Sequence, residues 1–261
     1  MTLVKRLKRV FGGRPAIPEA AAPWADHERV FRAPPLTEEL LSAIKLIAPN
    51  CRDYRPTEKY RALWEQYQNA ASWAEYQALK PILDRLPKPR KILEIGPGMG
   101  RSLVFFTKKL GWQDAEIHAY DGNGTTTKYT KLGPRFEDSF CGNLRLLDEV
   151  LRYNVVENVI IHDANETTLS ALPGPFDFLY SFYSIGFHWS LEHFLDDLTR
   201  LLDEEGTAIF TIPPSFESPP QLAGLFYERV PLFPNAAKAN RRDELLLLRK
   251  KPFPEALRPA V

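Results

Sequence analysis

Five short apolar runs, separated in part by segments of helical periodicity, constrain the fold of this chain most strongly. The runs lie at 91–96, 116–121, 158–164, 176–182 and 207–212. Apolar residues at helical spacing lie among them, at 101–110, 142–153 and 191–202. Short strands that alternate with helices predict a mostly parallel sheet with helices on both faces. The fold class is therefore α/β.

Two further strands are predicted after the fifth run, at 225–233 and 244–250. A short link between neighbouring strands favours an antiparallel hairpin, which would close one edge of the sheet. The clearest helix is 191–202, with Ser190 as its expected N-cap and Gly206 just after its end. The sequence thus predicts seven strands.

Residues 36–88 are predicted to form an N-terminal helical cap. Thr37 is the expected N-cap, and one apolar face comprises Leu40, Leu41, Ile44, Ile47 and Ala48. A second, aromatic face comprises Tyr60, Leu63, Trp64 and Tyr67, continued by Trp73, Tyr76 and Leu79. Such a stripe is typical of ordinary core packing. The alternative is a cap whose rings border a ligand.

The N-terminus differs in charge from the rest of the chain. Residues 1–14 hold five basic residues and no acid, which are Lys5, Arg6, Lys8, Arg9 and Arg14. Subtracting these five from 34 leaves 29 basic against 33 acidic residues, a formal charge of −4. The apolar residues of this tip recur at helical spacing, which predicts weak contact with a membrane surface. The alternative is a basic N-terminus without a membrane role.

The remaining segments complete the predicted domain organisation. A Pro- and Ala-rich linker spans 15–35, the main domain spans 89–251, and a tail spans 252–261. No apolar run approaches the roughly 20 residues of a membrane span, and no signal peptide is evident. We therefore expect a cytoplasmic protein. If the basic tip binds lipid, the protein would be peripheral at the inner membrane surface. The acidic main domain disfavours nucleic acid as a partner.

Metal and disulfide chemistry are both disfavoured. Two cysteines, Cys51 and Cys141, cannot make a disulfide framework or a zinc site. Four of the histidines are scattered along the sequence and predict no set of metal ligands. They are His27, His118, His162 and His193.

The strongest motif lies where the first strand ends and the next helix begins. It has three glycines in a G-x-G-x-G spacing, preceded by an acid, and comprises Glu94, Gly96, Gly98 and Gly100. A dinucleotide fingerprint would be G-x-G-x-x-G, but its sixth position is Arg101 here. Asp121 ends the second strand about 20 residues later, where a carboxylate can accept from both hydroxyls of a ribose.

These residues resemble those of class I S-adenosylmethionine-dependent methyltransferases, over about 90–250. The resemblance implies a Rossmann-like seven-stranded sheet with a C-terminal hairpin and S-adenosyl-L-methionine as cofactor. It implies that the acid and glycines of the motif cradle the methionine part of the cofactor and that Asp121 binds its ribose. Asp163 and Ala164 match the adenine site, through a carboxylate and a backbone N–H respectively.

The same resemblance places the acceptor beside the exit of the fourth strand, at 181–189. An alcohol acceptor needs a proton acceptor within hydrogen-bond reach, and His188 is the leading candidate for that catalytic base. Tyr183 is the second candidate. Glu192 would orient His188 if the helix began early enough to bring them together. The alternative for both candidates is a purely packing role.

The position of the proline pair narrows the predicted acceptor. Family members that methylate planar amines often carry an Asn/Asp-Pro-Pro-aromatic run after the fourth strand, whereas Pro213 and Pro214 follow the fifth strand here. Together with the acidic charge of the chain outside the tip, this favours transfer to a hydroxyl of a small molecule or glycan. The basic tip and the aromatic-rich cap resemble those of bacterial O-methyltransferases that act in polysaccharide or glycolipid assembly. The alternatives are a methyltransferase-like cofactor-binding protein without turnover, and methylation of another small-molecule nucleophile, nitrogen or carbon. A nucleotide-dependent oxidoreductase is disfavoured by Arg101.

Overall fold

Seven strands form a single mixed sheet. The structure, a computed structural model, describes residues 29–38, 40–42, 55–122, 143–182, 184–186, 190–213, 216–231 and 244–253. The strands are β1 (Lys91–Ile95), β2 (Glu116–Asp121), β3 (Val159–Asp163), β4 (Phe176–Ser181), β5 (Leu202–Ile212), β6 (Phe226–Pro231) and β7 (Glu244–Arg249). Their order in the sheet is β3-β2-β1-β4-β5-β7-β6.

The first five strands pair in parallel, and β7 pairs antiparallel with both β5 and β6. The predicted α/β class, the seven strands and the antiparallel C-terminal hairpin are confirmed. The order reverses at β1, which lies between β2 and β4. Such a reversal opens a crevice beyond the carboxyl ends of the strands.

Among the described residues, four α-helices with both ends placed cover the two faces of the sheet. They are α1 (Glu58–Leu83), α2 (Arg101–Leu110), α3 (Leu144–Tyr153) and α4 (Leu191–Leu201). Residues of α1, α2 and α3 share one hydrophobic core with one face of the sheet, and α4 packs against the other face. α2 is flanked by its N-cap Gly100 and its C-cap Gly111, and both have left-handed backbone conformations that glycine adopts without strain.

The aromatic stripe of α1 belongs to the core. Trp64 and Leu79 are buried, and Trp73 and Tyr76 pack against the same core. The ring of Trp73 meets Phe105 of α2 edge-on, with the ring centroids 6.1 Å apart. These described residues confirm the packing interpretation of the stripe. The side chains of Leu63 and Tyr67 lie outside the described part.

One predicted boundary is wrong. Gly206 does not follow the end of a helix but lies inside β5, which begins at Leu202 directly after α4. Leu202 pairs with Phe176 of β4, and the pairing resumes at Thr207 after a register shift. Tertiary pairing of Leu202 with β4 thus draws the acidic stretch 203–205 into the strand.

Several predicted segments lie outside the described residues. They are the basic tip 1–14, the linker as far as residue 28, the end of the first cap helix after residue 42, and most of the tail. Within the part of the chain that is described, no helix has both the length and the apolar character needed to cross a bilayer.

Candidate functional site

The glycine motif forms a tight loop at the point where the strand order reverses. It leads from β1 into α2, and its three glycines have positive φ angles of 72°, 58° and 74°. The N–H of Gly96 donates to the carbonyl of Tyr120 on β2 at 2.8 Å, which ties the start of the loop to the neighbouring strand. The loop therefore lies at the crevice where open α/β sheets bind ligands.

Two of the three glycines are required by packing. A Cβ on Gly96 would lie 2.2 Å from Oγ of Ser184, and a Cβ on Gly100 would lie 2.6 Å from a methyl group of Leu147 on α3. Gly98 differs, because its backbone N–H donates to Oδ2 of Asp121 at 3.0 Å. Gly98 is thus the glycine that links the loop to the predicted ribose-binding residue.

Asp121 is a buried carboxyl at the C-terminal end of β2, with 7% of its surface exposed. Its Oδ1 accepts from the N–H of Gly122 at 2.8 Å, and its Oδ2 accepts from Gly98. Burial raises the pKa of Asp121 to about 7, against these two hydrogen bonds, which lower it. Since a carboxylate has about four acceptor positions, Asp121 retains capacity for further donors.

Asp163 ends β3 and pairs in register with Asp121. Its Oδ1 accepts from the backbone N–H and the side-chain amide of Asn165, both at 2.9 Å. The N–H of Ala164 donates to the carbonyl of Asp121 at 2.8 Å. The structure therefore places both predicted adenine-site residues beside Asp121, with the Ala164 amide already bonded within the protein.

Glu94 lies inside the protein, beneath the loop, and is 1% exposed. Ser102 donates to its Oε1, and the Tyr180 hydroxyl donates to its Oε2 at 2.8 Å. Burial raises the pKa of Glu94 to about 7. Both carboxylate oxygens are thus held by α2 and β4, so that Glu94 joins the elements on which the loop rests.

Arg101, the residue at the sixth motif position, holds the helical cap against the loop. Its guanidinium donates to both carboxylate oxygens of Glu75 on α1, at 2.6 and 2.8 Å, and to Oγ of Ser72 at 3.1 Å. Glu75 and Ser72 are buried. This bidentate pair was not predicted from the sequence. The only sequence signal was a pair of polar residues, Ser72 and Glu75, within the aromatic stripe.

Ser181 joins the exit of β4 to the end of β1. Its hydroxyl donates to the carbonyl of Ile95 at 2.7 Å and accepts from the N–H of Ile185 at 3.1 Å. Ser184 follows over Gly96, and Gly186 packs close to the end of β5 with a φ of 88°. The exit turn of β4 and the glycine loop therefore line the same crevice. Ser181 was not predicted, although a serine in an otherwise apolar run was a visible signal.

Of the three predicted catalytic residues, one lies in the described part of the chain. Tyr183 and His188 lie outside the described residues. Glu192 is exposed in the first turn of α4, which begins only at Leu191 after the N-cap Ser190. The orientation of His188 by Glu192 stays a prediction, because His188 lies outside the described residues.

Two of the four histidines that are scattered along the sequence contact each other in the fold. Nδ1 of His118 on β2 lies 2.7 Å from Nε2 of His162 on β3, and the rings stack with their planes 6° apart. Nε2 of His118 also lies 2.7 Å from a carboxylate oxygen of Glu116. Parallel pairing of β2 and β3 brings these rings together. No group of three or more potential ligands that could hold a metal occurs among the described residues.

No family model matches the chain, and no curated protein matches it. Among solved structures, a methyltransferase from Pyrococcus furiosus is 15% identical with a TM-score of 0.46, over 69% of this chain and 83% of that chain. A SAM-dependent methyltransferase from Aquifex aeolicus is 15% identical with a TM-score of 0.45, over 67% and 88%. An SAH-bound methyltransferase from Podospora anserina is 17% identical with a TM-score of 0.41, over 83% and 89%. Similarity at this level carries no inference about cofactor or acceptor.

Proposed function

We propose that this chain is an S-adenosylmethionine-dependent methyltransferase that acts on a hydroxyl of a small molecule or glycan. The observation that carries the proposal is the meeting of the Gly98 amide with the Asp121 carboxylate, 3.0 Å apart at the reversal of the strand order. The glycine turn would let a cofactor approach the backbone closely, because glycine has no Cβ in the way. The buried carboxylate at the end of the adjacent strand would accept hydrogen bonds from the two hydroxyls of its ribose.

The residues of the crevice fit a nucleoside-containing cofactor. Asp121 has acceptor capacity beyond its two backbone bonds, which suits the two hydroxyls of a ribose. Asp163 ends the adjacent strand, at the position expected for the base of the nucleoside. The loop at Gly98 would lie along the methionine part, and Glu94 would support that loop from below.

Bound S-adenosylmethionine supplies a methyl group that its sulfonium already activates. The protein must then mainly align the acceptor with that methyl group. The β4 exit is the segment expected to do so, since Ser181 fixes it beside the glycine loop. We assign proton removal from the hydroxyl to His188, with Tyr183 as the second candidate. A neutral imidazole is the major form of an unperturbed histidine at pH 7.

Calorimetry with S-adenosylhomocysteine tests the cofactor assignment. Asp121→Ala removes charge-assisted hydrogen bonds to the ribose, and we expect affinity to fall about ten- to a hundredfold with the fold intact. Gly98→Val should abolish binding, because a branched side chain is strained at a φ of 58° and enters the space of the close approach. Asp114→Ala is the control for general disturbance, because it removes an exposed carboxylate that precedes β2, at the opposite end of the strands from the glycine loop.

Two outcomes would overturn the proposal. Binding of NAD(P) but not of S-adenosylhomocysteine would make the crevice a dinucleotide site. Cofactor binding without transfer of an isotopically labelled methyl group to any hydroxylated acceptor would favour a binding protein without turnover. When a labelled product forms, NMR of the methyl carbon distinguishes an O-methyl from an N-methyl or C-methyl group, and His188→Ala should slow turnover about 10²–10⁴-fold while sparing cofactor binding.

A further inference from the structure

His118 of β2 and His162 of β3 form a hydrogen-bonded pair, here called the histidine pair. His118 is 1% exposed, and His162 is half-buried. Their facing atoms, Nδ1 of His118 and Nε2 of His162, lie 2.7 Å apart, and the ring planes are 6° apart. A neutral imidazole has one N–H and one lone pair. Two ring nitrogens at this distance therefore hold a single hydrogen between them.

The surroundings of His118 determine which of its nitrogens carries a hydrogen. Its Nε2 lies 2.7 Å from Oε1 of Glu116, and Nζ of Lys91 lies 3.0 Å from the same oxygen. Hydrogen bonds from His118 and Lys91 lower the pKa of Glu116, so that Glu116 is an ionised acceptor at neutral pH. Nε2 of His118 therefore carries a hydrogen. When both rings are neutral, Nδ1 of His118 accepts from the Nε2–H of His162.

The remaining neighbours of the histidine pair do not compete for its protons. Phe176 of β4 meets the ring of His118 edge-on, with the centroids 5.1 Å apart, and does not titrate. Tyr120, which pairs in register with His162, donates its hydroxyl to the carbonyl of Thr167 at 3.1 Å.

The two carboxylates near this tyrosine act in the same sense. Burial, and then the carboxylates of Asp197 on α4 and Asp163 on β3, raise the pKa of Tyr120, so that it stays neutral. The proton balance of the histidine pair is therefore set by the two rings and by Glu116, which Lys91 keeps ionised.

The short gap limits the number of protons that the histidine pair can bind. One added proton is accommodated at Nδ1 of His162, because a single hydrogen still lies between the rings. A second added proton would place an N–H on both sides of the 2.7 Å gap. That form loses the hydrogen bond and sets two cations side by side. Burial and the neighbouring His118 lower the pKa of His162, which acts in the same direction.

We propose that the histidine pair is a pH-sensitive switch that binds one proton in the folded protein and excludes a second. In its neutral and singly charged forms, the pair joins β3, at the edge of the sheet, to β2. The unfolded chain has two independent histidines, which bind two protons at acid pH. The folded state then binds one proton fewer, so that its stability is full above about pH 6.5 and falls at lower pH. The proposal does not depend on the methyl-transfer function.

Nitrogen-15 NMR of the imidazole rings tests the proton count in the full wild-type chain, with the rings assigned through the backbone. Between pH 8.5 and pH 5, Nε2 of His118 should remain protonated throughout. The two rings together should take up one proton, as a coupled pair. Uptake of no proton, or of two protons by a chain that circular dichroism shows to be folded, overturns the proposal.

Urea unfolding at different pH values is the second measurement. His162→Gln keeps an amide that can donate to Nδ1 of His118 but cannot bind a proton, so its folded and unfolded states differ by no proton at this position. Between pH 6 and pH 4.5, the unfolding constant of the wild type should rise about tenfold per pH unit more than that of His162→Gln.

His193→Gln is the matched control, because His193 is exposed on α4. Its pH profile should parallel that of the wild type. Parallel profiles for the wild type and a folded His162→Gln chain would overturn the proposal. If His162→Gln does not fold, the proton count in the wild-type chain decides.

Discussion

Asp121 is a single residue whose charge changes near neutral pH, because burial raises its pKa to about 7. Ribose hydroxyls donate to the ionised carboxylate, so that ligand binding should lower the pKa of Asp121 and release a proton. Affinity for S-adenosylhomocysteine should then be constant above pH 7 and fall up to tenfold per unit below it. Calorimetry from pH 5.5 to 8.5, in buffers of different ionisation enthalpy, measures both the affinity and the proton release.

Asp121→Asn provides the control for this pH dependence. The variant keeps an acceptor oxygen of similar size but has no titrating group, so its weaker affinity should not vary over the same range. A wild-type affinity that is flat between pH 6 and pH 8 would contradict the expectation. It would mean that Asp121 does not bind the ligand in its ionised form.

Glu94 is the second buried carboxyl whose pKa is raised to about 7, and its protonation affects stability because its hydrogen bonds lie within the protein. Its folded-state pKa is raised above the ordinary value of 4.5, so its contribution to stability is fully present below pH 4.5 and is lost as pH rises to about 7. The loss is about 3 kcal/mol. The free energy of unfolding in urea, measured from pH 4.5 to 8, should therefore fall less steeply in Glu94→Gln than in the wild type.

Ser102→Ala is the matched comparison for Glu94. It removes one hydrogen bond that favours the charged form of Glu94 but leaves the carboxyl in place. The pKa of Glu94 should then rise further, and the fall in stability should extend to higher pH. Parallel pH profiles for the wild type and Glu94→Gln would show that Glu94 is not the group responsible.

At the scale of whole elements, the Arg101–Glu75 pair fastens α1 to the start of α2. Breaking a buried, hydrogen-bonded ion pair on one side leaves a buried charge unpaired, which costs about 3–5 kcal/mol. Arg101→Met and Glu75→Leu should each destabilise the chain by about that amount in urea unfolding. The double variant should recover most of the loss, since neither partner is left as an unpaired buried charge. The exposed pair Lys80–Asp84, also at α1, should change stability little when it is removed in the same way.

One outcome of this comparison of single and double variants would contradict the pairing of Arg101 with Glu75. If the losses from Arg101→Met and Glu75→Leu simply add in the double variant, the two side chains do not act as a pair. α1 would then be held by its aromatic contacts alone.

The sequence predicted elements well where periodicity and glycine boundaries agreed. The helix Arg101–Leu110 and the strand Glu116–Asp121 have the predicted bounds because local patterns determine them. β5 was predicted to begin five residues too late, since its first residues are recruited by pairing with β4. Pairing with a distant strand cannot be predicted from the local sequence of β5.

The same reasoning applies to the site. Carboxylates at the ends of adjacent parallel strands could be predicted, because the carboxyl ends of those strands share one edge. The Arg101–Glu75 pair joins residues 26 positions apart, and the bond from Arg32 to Asn154 spans 122 positions. Both follow from packing between elements, and no spacing rule predicts them.

At the scale of the whole molecule, charge is divided between the N-terminal tip and the rest of the chain. Residues 1–14 carry five basic residues, and the other residues carry a formal charge of −4. Basic residues contribute about 1 kcal/mol each near an anionic surface. Attachment through four or five of them would be weak and sensitive to salt, and the acidic remainder would be repelled from the same surface. Such attachment would bring the crevice near a membrane-bound glycolipid acceptor.

Co-sedimentation with vesicles tests this membrane proposal. The full chain should pellet with anionic vesicles at low salt, remain in the supernatant with neutral vesicles, and be released by about 0.5 M salt, at which the Debye length is only a few ångströms. Replacing the four cations at 5, 6, 8 and 9 by Gln should abolish pelleting. Replacing Lys59, Lys88, Arg90 and Arg145, which are exposed cations of the main body, makes the same change in formal charge and should have little effect. If both variants lose binding equally, net charge and not the tip is responsible. If the full chain never pellets, the tip is not a membrane contact, and a soluble hydroxylated acceptor is favoured over a glycolipid.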